Sequence, residues 1–189
     1  MAEAKVEFGL SNIYYAPYED GKYGTPVHVP GAVSLSMDPT GDSSTFYADN
    51  IGYYVTRGAS GKSGTITIAR ATVALLSDIL GFETDENGVA VEFSDAAAKE
   101  FALLYQVQTD ASALKFALFN CSLGNKKDSH NTQSESTDPD TQEYDITAAA
   151  RTFTFGGTDR AILGAFCEST SSAYADWFTK VYTPTKAGA

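Results

Sequence analysis

The sequence predicts a mainly β domain with one principal α-helix. In residues 33–37 and 63–69, apolar side chains alternate with hydroxyl-bearing ones, which is the period of a strand with one buried and one solvated face. Residues 101–107 and 114–123 are apolar runs separated by a polar turn, and they predict the longest β-hairpin of the chain. These paired, short-period segments outweigh the helical signals and favour an all-β-leaning core.

The predicted helix covers residues 71–80. Val73, Leu76 and Leu80 fall on one helical stripe, and Gly81 follows where a C-cap belongs. An acidic turn ending in Gly88 comes next and leads into a short alternating strand at 89–93. This helix and its turn are expected to pack against the sheet.

The N-terminal part predicts an arm and then a strand. Residues 1–9 are a short polar arm that should be loose unless a partner holds it. Residues 10–18 are rich in aromatic side chains and predict a first strand or edge segment. Pro26 and Pro30 precede the alternating strand at 33–37, which favours an edge or a bend there.

A long loop is predicted over residues 38–62, between the two alternating strands. A loop of this length in a compact domain is usually functional or disordered. It carries four aromatic rings beside acidic residues, a composition suited to contact with another surface, although a single ring more often caps its own core. The residues assigned to this contact are Phe46, Tyr47, Asp49, Tyr53 and Tyr54.

The C-terminal third alternates between polar and apolar stretches. Residues 124–141 contain no aliphatic or aromatic side chain and predict a solvated loop. Strand character returns over 143–155 and again at 162–166, and residues 174–181 predict a short helix docked on the core. The whole chain, 1–189, is expected to form one domain.

The composition excludes several classes of function. The chain has 189 residues and a formal net charge of −11. Such an acidic protein is not expected to bind nucleic acid by neutralising phosphates, because that mechanism needs clustered Lys and Arg. The start shows no secretory signal, and no apolar stretch reaches the roughly 18 residues that span a bilayer. Cys121 and Cys167 are therefore expected to be reduced and buried in a cytoplasmic protein, with a disulfide between them left open.

The sequence shows no constellation of reactive residues. A glycine is missing five residues before Gly61, where a phosphate loop would need it, since position 56 is Thr. The acidic turn resembles half of a calcium loop, but Ser94 stands where the bidentate Glu is required. His28 and His130 are far apart, which argues against zinc. We expect no catalytic residue, no cofactor and no metal, which favours assembly over catalysis.

Four ordered stretches resemble one protein family. They are PGAVSLSMDPTGDSSTFYADNIGYYV at 30–55, LLSDILGFETDENGVAVE at 75–92, FALLYQVQ and FALFNCSLG within 101–124, and ADWFTKVYTP at 175–184. This ordered set is similar to the major tail protein, or tail tube protein, of long-tailed, non-contractile bacteriophages, especially those of Gram-positive hosts. The resemblance runs across nearly the whole chain.

The resemblance implies a structural virion protein with a β-sandwich or barrel-like tail-tube fold. Such proteins form rings, normally hexameric, that stack into the tube through which double-stranded DNA passes without specific binding. Each subunit contributes strands to a ring-wide β-barrel, and a long loop reaches into the next ring. The implied partners are other copies of the chain and the tail tip or baseplate, tape measure and tail terminator proteins. The implied location is the virion tail, assembled in the host cytoplasm, with no membrane involved.

The alternating strands fit this implied tube. Hydroxyl and acidic side chains would face a wet channel, and aliphatic side chains would face a second layer. The residues assigned to the lumen are Ser34, Ser36, Asp38, Thr65 and Thr67. Three other classes stay open at this point: the inner tube of a contractile injection or type VI secretion-like machine, a carbohydrate-binding β-sandwich module, and an enzyme on a β scaffold.

Overall fold

The structure is a computed structural model that describes residues 5–41, 43–48, 51–57, 61–127, 130, 132 and 139–186. For 43–48 and 52–57 it describes the backbone alone. The strands in chain order are β1 (Glu7–Glu19), β2 (Lys22–Tyr23), β3 (Val27–Val29), β4 (Ala32–Thr40), β5 (Ser43–Ala48), β6 (Ile51–Arg57), β7 (Gly61–Ile68), β8 (Glu83–Thr84), β9 (Ala90–Val91), β10 (Phe101–Thr109), β11 (Leu114–Lys127), β12 (Gln142–Ala149), β13 (Arg151–Phe155), β14 (Thr158–Ile162) and β15 (Gly164–Cys167). The helix is α1 (Val73–Leu80).

One large antiparallel sheet organises the described chain. Its main path runs β2-β1-β10-β11-β12-β7-β4, while β3 pairs with β1 and β15 pairs with β11. The hairpins β5–β6, β8–β9 and β13–β14 form three separate two-stranded sheets. This mainly β architecture with a helix confirms the predicted fold class, and the large sheet remains open within the subunit.

The first hydrophobic core lies on the face of the sheet that carries α1. Leu75, Ile79 and Leu80 are the buried residues of the helix. They belong to one apolar cluster with inward-facing residues of β1, β7, β10, β11 and β12, including Ile68 and Phe101. Apolar burial of this kind is the main stabilising term in a domain of this size.

Local capping explains where the helix begins and ends. The Thr72 side chain accepts a hydrogen bond from the Leu75 amide at 3.2 Å, so Thr72 is the N-cap. Gly81 has φ of 74°, and its amide donates to the Leu76 carbonyl, which closes the C-terminus. The prediction of a helix at 71–80 with Gly81 as C-cap is confirmed to within two residues.

A second core covers the opposite face of β1, β10 and β11. Trp177 from the C-terminal segment is 2% exposed and belongs to one cluster with Leu104 and Phe119. Because β10 and β11 are covered on both faces here, their sequences are apolar runs rather than alternating ones. The predicted central hairpin is confirmed, and Cys121 and Cys167 are both buried and free, as predicted.

The short helix predicted at 174–181 is wrong. The segment consists of successive turns in which Tyr174, Trp177 and Thr179 each donate a backbone hydrogen bond to the residue three positions earlier. The Tyr174 carbonyl, which a continuing helix would use as an acceptor four residues on, accepts instead from Lys115 Nζ at 2.8 Å. The Trp177 Nε1–H donates to the Phe116 carbonyl at 3.1 Å. Hydrogen bonds to β11 therefore replace the backbone hydrogen bonds that a continuous helix would form.

Several predicted loops are shorter than expected. Strand β1 begins at Glu7, within the predicted arm at 1–9, and β4 extends to Thr40. The predicted loop at 38–62 contains the β5–β6 hairpin, and β11 extends into the predicted polar loop at 124–141. Backbone pairing explains these extensions, because a paired strand satisfies its amides and carbonyls even where the side chains are polar. Within the described residues, α1 is too short to span a bilayer, and no longer apolar helix is present.

Candidate functional site

A continuous polar face runs across β4, β7 and β12. The strand register places side chains in three rows, which are Ser34, Thr67 and Glu143; Ser36, Thr65 and Asp145; and Asp38, Ser63 and Thr147. Ser34, Ser36 and Asp38 are exposed, whereas the three β7 residues in the centre are half-buried by their neighbours. We call these nine residues the polar face.

The central rows on the reverse side of the same strands are apolar. Leu35, Ile66 and Tyr144 form a row across β4, β7 and β12, and Ile146 lies in the next row. Ile66 is 6% exposed, and Tyr144 and Ile146 are each 1% exposed. This apolar side packs into the core beneath α1. A one-residue register slip would bury the polar rows, so core packing fixes which side chains face out.

The polar face continues onto β11 and carries net negative charge. Ser122 lies opposite Thr147, and Lys127 lies opposite Glu143. The Lys127 Nζ is 2.7 Å from Glu143 Oε1 and 3.2 Å from Asp145 Oδ1. These two carboxylates accept hydrogen bonds from the ammonium and raise the pKa of Lys127 above its ordinary value. Together with Asp38, the face carries three carboxylates and one ammonium, so its net charge is negative.

Close backbone approach holds β4 against β7 at the centre of this face. A Cβ added to Gly64 would lie 2.7 Å from the Ser36 carbonyl carbon and 3.0 Å from Met37 Cα, nearer still to the Ser36 oxygen. These are backbone atoms that cannot rotate away. The glycine is therefore required by the spacing of the two strands.

The structure brings the predicted lumen residues together. Ser34 pairs with Thr67, Ser36 pairs with Thr65, and Asp38 follows on the same strand face. Adjacent strands with alternating patterns thus present one surface, as the sequence predicted.

The predicted contact loop is a β-hairpin. Phe46 lies opposite Tyr54, and Tyr47 lies opposite Gly52 across β5 and β6, while Tyr53 belongs to β6. Asp49 lies outside the described residues. Antiparallel pairing, with one register shift between Phe46 and Tyr47, places the four aromatic positions on one hairpin rather than along an irregular loop.

Sequence reasoning missed part of the polar face. Glu143, Asp145 and Thr147 complete its rows, and Lys127 balances two of the carboxylates. Residues 143–148 read Glu-Tyr-Asp-Ile-Thr-Ala, a strict alternation that could have assigned them to the same surface. The described residues contain no group of three or more His, Cys, Asp or Glu side chains that could hold a metal ion.

A comparison with protein families decides the class of this chain. The family model described as phage tail tube protein matches residues 15–184. The chain belongs to the phage tail tube protein family. It is a structural protein of the virion tail, and the resemblance to a tail tube protein drawn from the sequence is confirmed. Membership favours a structural role over the carbohydrate-binding and enzyme alternatives.

Comparisons with solved structures find distant likenesses to tube components. The tube-terminating cap of the anti-feeding prophage is 8% identical with a TM-score of 0.47, and the match covers 89% of this chain and 97% of that one. A chain of the sheath–tube complex of an extracellular contractile injection system is 13% identical with a TM-score of 0.36, covering 82% and 88%. At these values neither likeness bears on function. A search among curated proteins finds no match.

Proposed function

We propose that this tail tube protein assembles into stacked hexameric rings whose bore is lined by the polar face. The observation that carries this proposal is the continuity of polar rows across β4, β7 and β12, backed by a reverse side whose central rows are apolar and buried. A sheet with one wet face and one packed face is suited to the wall of a water-filled channel.

The free edge of β4 gives the ring a means of closure. Among the described strands, β4 pairs with β7 alone and ends the main path of the sheet. An unpaired edge of nine residues invites pairing with another chain. Addition of the neighbouring subunit's sheet to β4 would continue the polar face around the ring and remove the exposed edge.

The charge of the face suits the passage of DNA without capture. The face carries three carboxylates and several hydroxyl groups, and its cation, Lys127, is already bound by two of those carboxylates. An anionic wall repels phosphates, so double-stranded DNA would slide through without specific binding. No catalytic role is needed for this function.

The β5–β6 hairpin would make the contact between rings. Its aromatic positions, together with Asp49, would pack on the next ring, because large amphipathic rings supply much contact area. Replacing Tyr53 and Tyr54 with Ser should leave a folded subunit that forms no tubes. Normal tubes from that variant would remove the hairpin from the stacking contact.

The remaining expectations follow from a tail tube role. The tube would meet tail tip or baseplate, tape measure and tail terminator proteins, and it would assemble in the host cytoplasm. The long-tailed, non-contractile type and the Gram-positive host rest on the sequence resemblance.

Electron microscopy of the purified protein at rising concentration tests the proposal. Head-to-tail stacking of rings gives open filaments, so rings should give way to hollow tubes as the concentration increases. Size-exclusion chromatography with light scattering should show the same shift in mass. Monomers at every concentration would contradict the proposal.

A further inference from the structure

A basic cleft of about 490 Å³ lies between the β1–β2 turn, β13 and the C-terminal segment. Its lining includes Lys22, Arg151 and Lys180 and contains no carboxylate. In a chain with a net charge of −11, this cleft is locally basic: Arg151 is paired with Glu100, and Lys22 and Lys180 supply the excess positive charge. Within the described part of the chain, neither Lys22 nor Lys180 has an ion-pair partner.

The floor of this cleft is held in place before anything binds. The Arg151 guanidinium lies 3.5 Å from the centroid of the Tyr18 ring and donates to Glu100 at 2.6 Å and to Asn120 at 3.0 Å. The Tyr23 hydroxyl donates to the Phe119 carbonyl at 2.6 Å. Because these groups are fixed, a ligand would lose little free energy in ordering them. The two lysines at the rim remain available for an anionic partner.

The β8–β9 hairpin carries acidic side chains that would complement the basic cleft. Glu83 and Glu86 are exposed on it, and Val89 and Phe93 are 56% and 43% exposed. Large apolar side chains exposed beside acidic ones on the same short segment are suited to a contact surface. Within the described residues, neither glutamate is part of an ion pair.

Asp85 makes this hairpin rigid. Its Oδ1 accepts hydrogen bonds from the Asn87 and Val89 amides, each at 2.8 Å. These bonds, the one from Val89 first, hold the pKa of Asp85 below its ordinary value, so its carboxylate stays ionised in the turn. The acidic tip is thus presented in a fixed shape. Asp85 is a structural residue and is unsuitable for a charge-reversal test.

We propose that the β8–β9 hairpin of one subunit docks in the basic cleft of a neighbouring subunit. Glu83 and Glu86 would pair with Lys22 and Lys180, and the exposed apolar side chains would cover the aromatic floor. The occupant is a second copy because the acidic, apolar hairpin complements the cleft while remaining exposed within its own subunit. The contact is heterologous, so it extends from subunit to subunit. This inference rests on the proposed self-assembly.

Charge reversal on each side tests the contact. The cleft variant carries Lys22→Glu and Lys180→Glu, the hairpin variant carries Glu83→Lys and Glu86→Lys, and a third variant carries all four changes. Either double variant should raise the concentration needed for assembly at least about tenfold, because attraction at two ion pairs becomes repulsion. The four-change variant should assemble near the wild-type concentration. A matched control, Glu7→Lys with Glu168→Lys, should assemble like wild type.

Mixing the two double variants provides a second readout. Each variant retains one intact half of the contact, and the two altered halves also carry opposite charges. The mixture should therefore form alternating assemblies, measured by sedimentation velocity, at concentrations where neither variant assembles alone. Circular dichroism should show all variants folded, since every changed side chain is exposed.

The outcomes separate this inference from the proposed function. A wild type that never assembles overturns the tube itself. If the hairpin variant assembles as well as the wild type, the hairpin does not occupy the cleft, but the proposed tube stands. Loss of assembly in the cleft variant without rescue by the four changes also overturns it and indicates a different acidic segment.

Discussion

Replacing Gly64 with alanine should loosen β4 from the sheet. The new methyl group would lie 2.7 Å from the Ser36 carbonyl carbon and 3.0 Å from Met37 Cα. Carbon atoms pack best at about 3.5–4.0 Å, so the two strands must separate by roughly 1 Å. The hydrogen bonds between β4 and β7 at this point would then be too long to stabilise the pairing.

The expected loss of stability is about 1–3 kcal/mol, the usual cost of overpacking. The larger effect should be on assembly, because β4 carries both the polar rows and the free edge of the sheet. A displaced edge would no longer present its amides and carbonyls in register to a neighbour. We expect a folded subunit that fails to form rings.

Urea unfolding of the unassembled subunit and electron microscopy at high concentration measure the two effects. Gly124→Ala is the matched control, because its added Cβ would lie 3.4 Å from Asp145 atoms, an ordinary contact. That control should change stability by less than about 1 kcal/mol. Wild-type stability and normal tubes in Gly64→Ala would refute the close packing of β4 on β7.

Three further predictions concern the subunit itself. Thr72→Ala removes the N-cap acceptor of the Leu75 amide and should cost about 1 kcal/mol in urea unfolding. Burial raises the pKa of the Cys121 thiol to about 12, from 9.0, so the unfolded chain releases a proton that the folded chain keeps. Stability should therefore fall as pH rises from 9 to 12, and Cys121 should react with thiol reagents only after unfolding. Arg151→Lys loses stacking on Tyr18 and part of the guanidinium's hydrogen bonding, and should lower the free energy of unfolding by about 1–3 kcal/mol.

Each of these has a clear contrary result. Unchanged unfolding in the Thr72 variant would mean that the cap does not stabilise α1, and Ser77→Ala, which changes an exposed hydroxyl on the same helix, serves as its control. A Cys121→Ser variant with the same alkaline loss as wild type would assign that loss to other groups, such as Tyr15, whose pKa burial also raises. A fully stable Arg151→Lys would show that positive charge alone suffices there.

The alternating strands could be predicted because one face of each is wet and the other is packed. Ser34 and Thr65 lie on the exposed side of strands whose Leu35 and Ile66 lie on the other. Period-two patterning carries that information directly. The polar face was therefore largely accessible from the sequence, and its β12 rows follow from the same pattern.

The start of β1 was harder to predict because β-bulges break its pattern. The pairing of β1 with β10 shifts between Phe8 and Leu10 and again between Ser11 and Tyr14. Gly9 and Asn12 adopt positive φ at these points. Each shift moves later side chains to the other face, so no single period describes the strand.

The C-terminal segment departs from its sequence pattern for a different reason. Tyr174, Trp177, Phe178 and Val181 recur at helical spacing, which predicts an amphipathic helix. Hydrogen bonds from Lys115 and to Phe116 instead fix the segment as turns. Tertiary contacts with β11 override the local pattern, and no local signal reports them.

A cryo-electron microscopy map of the assembled protein tests the central claim most directly. We expect a hollow tube in which Ser36, Thr65 and Asp145 face the bore, with α1 on the outer side of the sheet. A tube whose bore is lined by α1 or by the β13–β14 hairpin would contradict it.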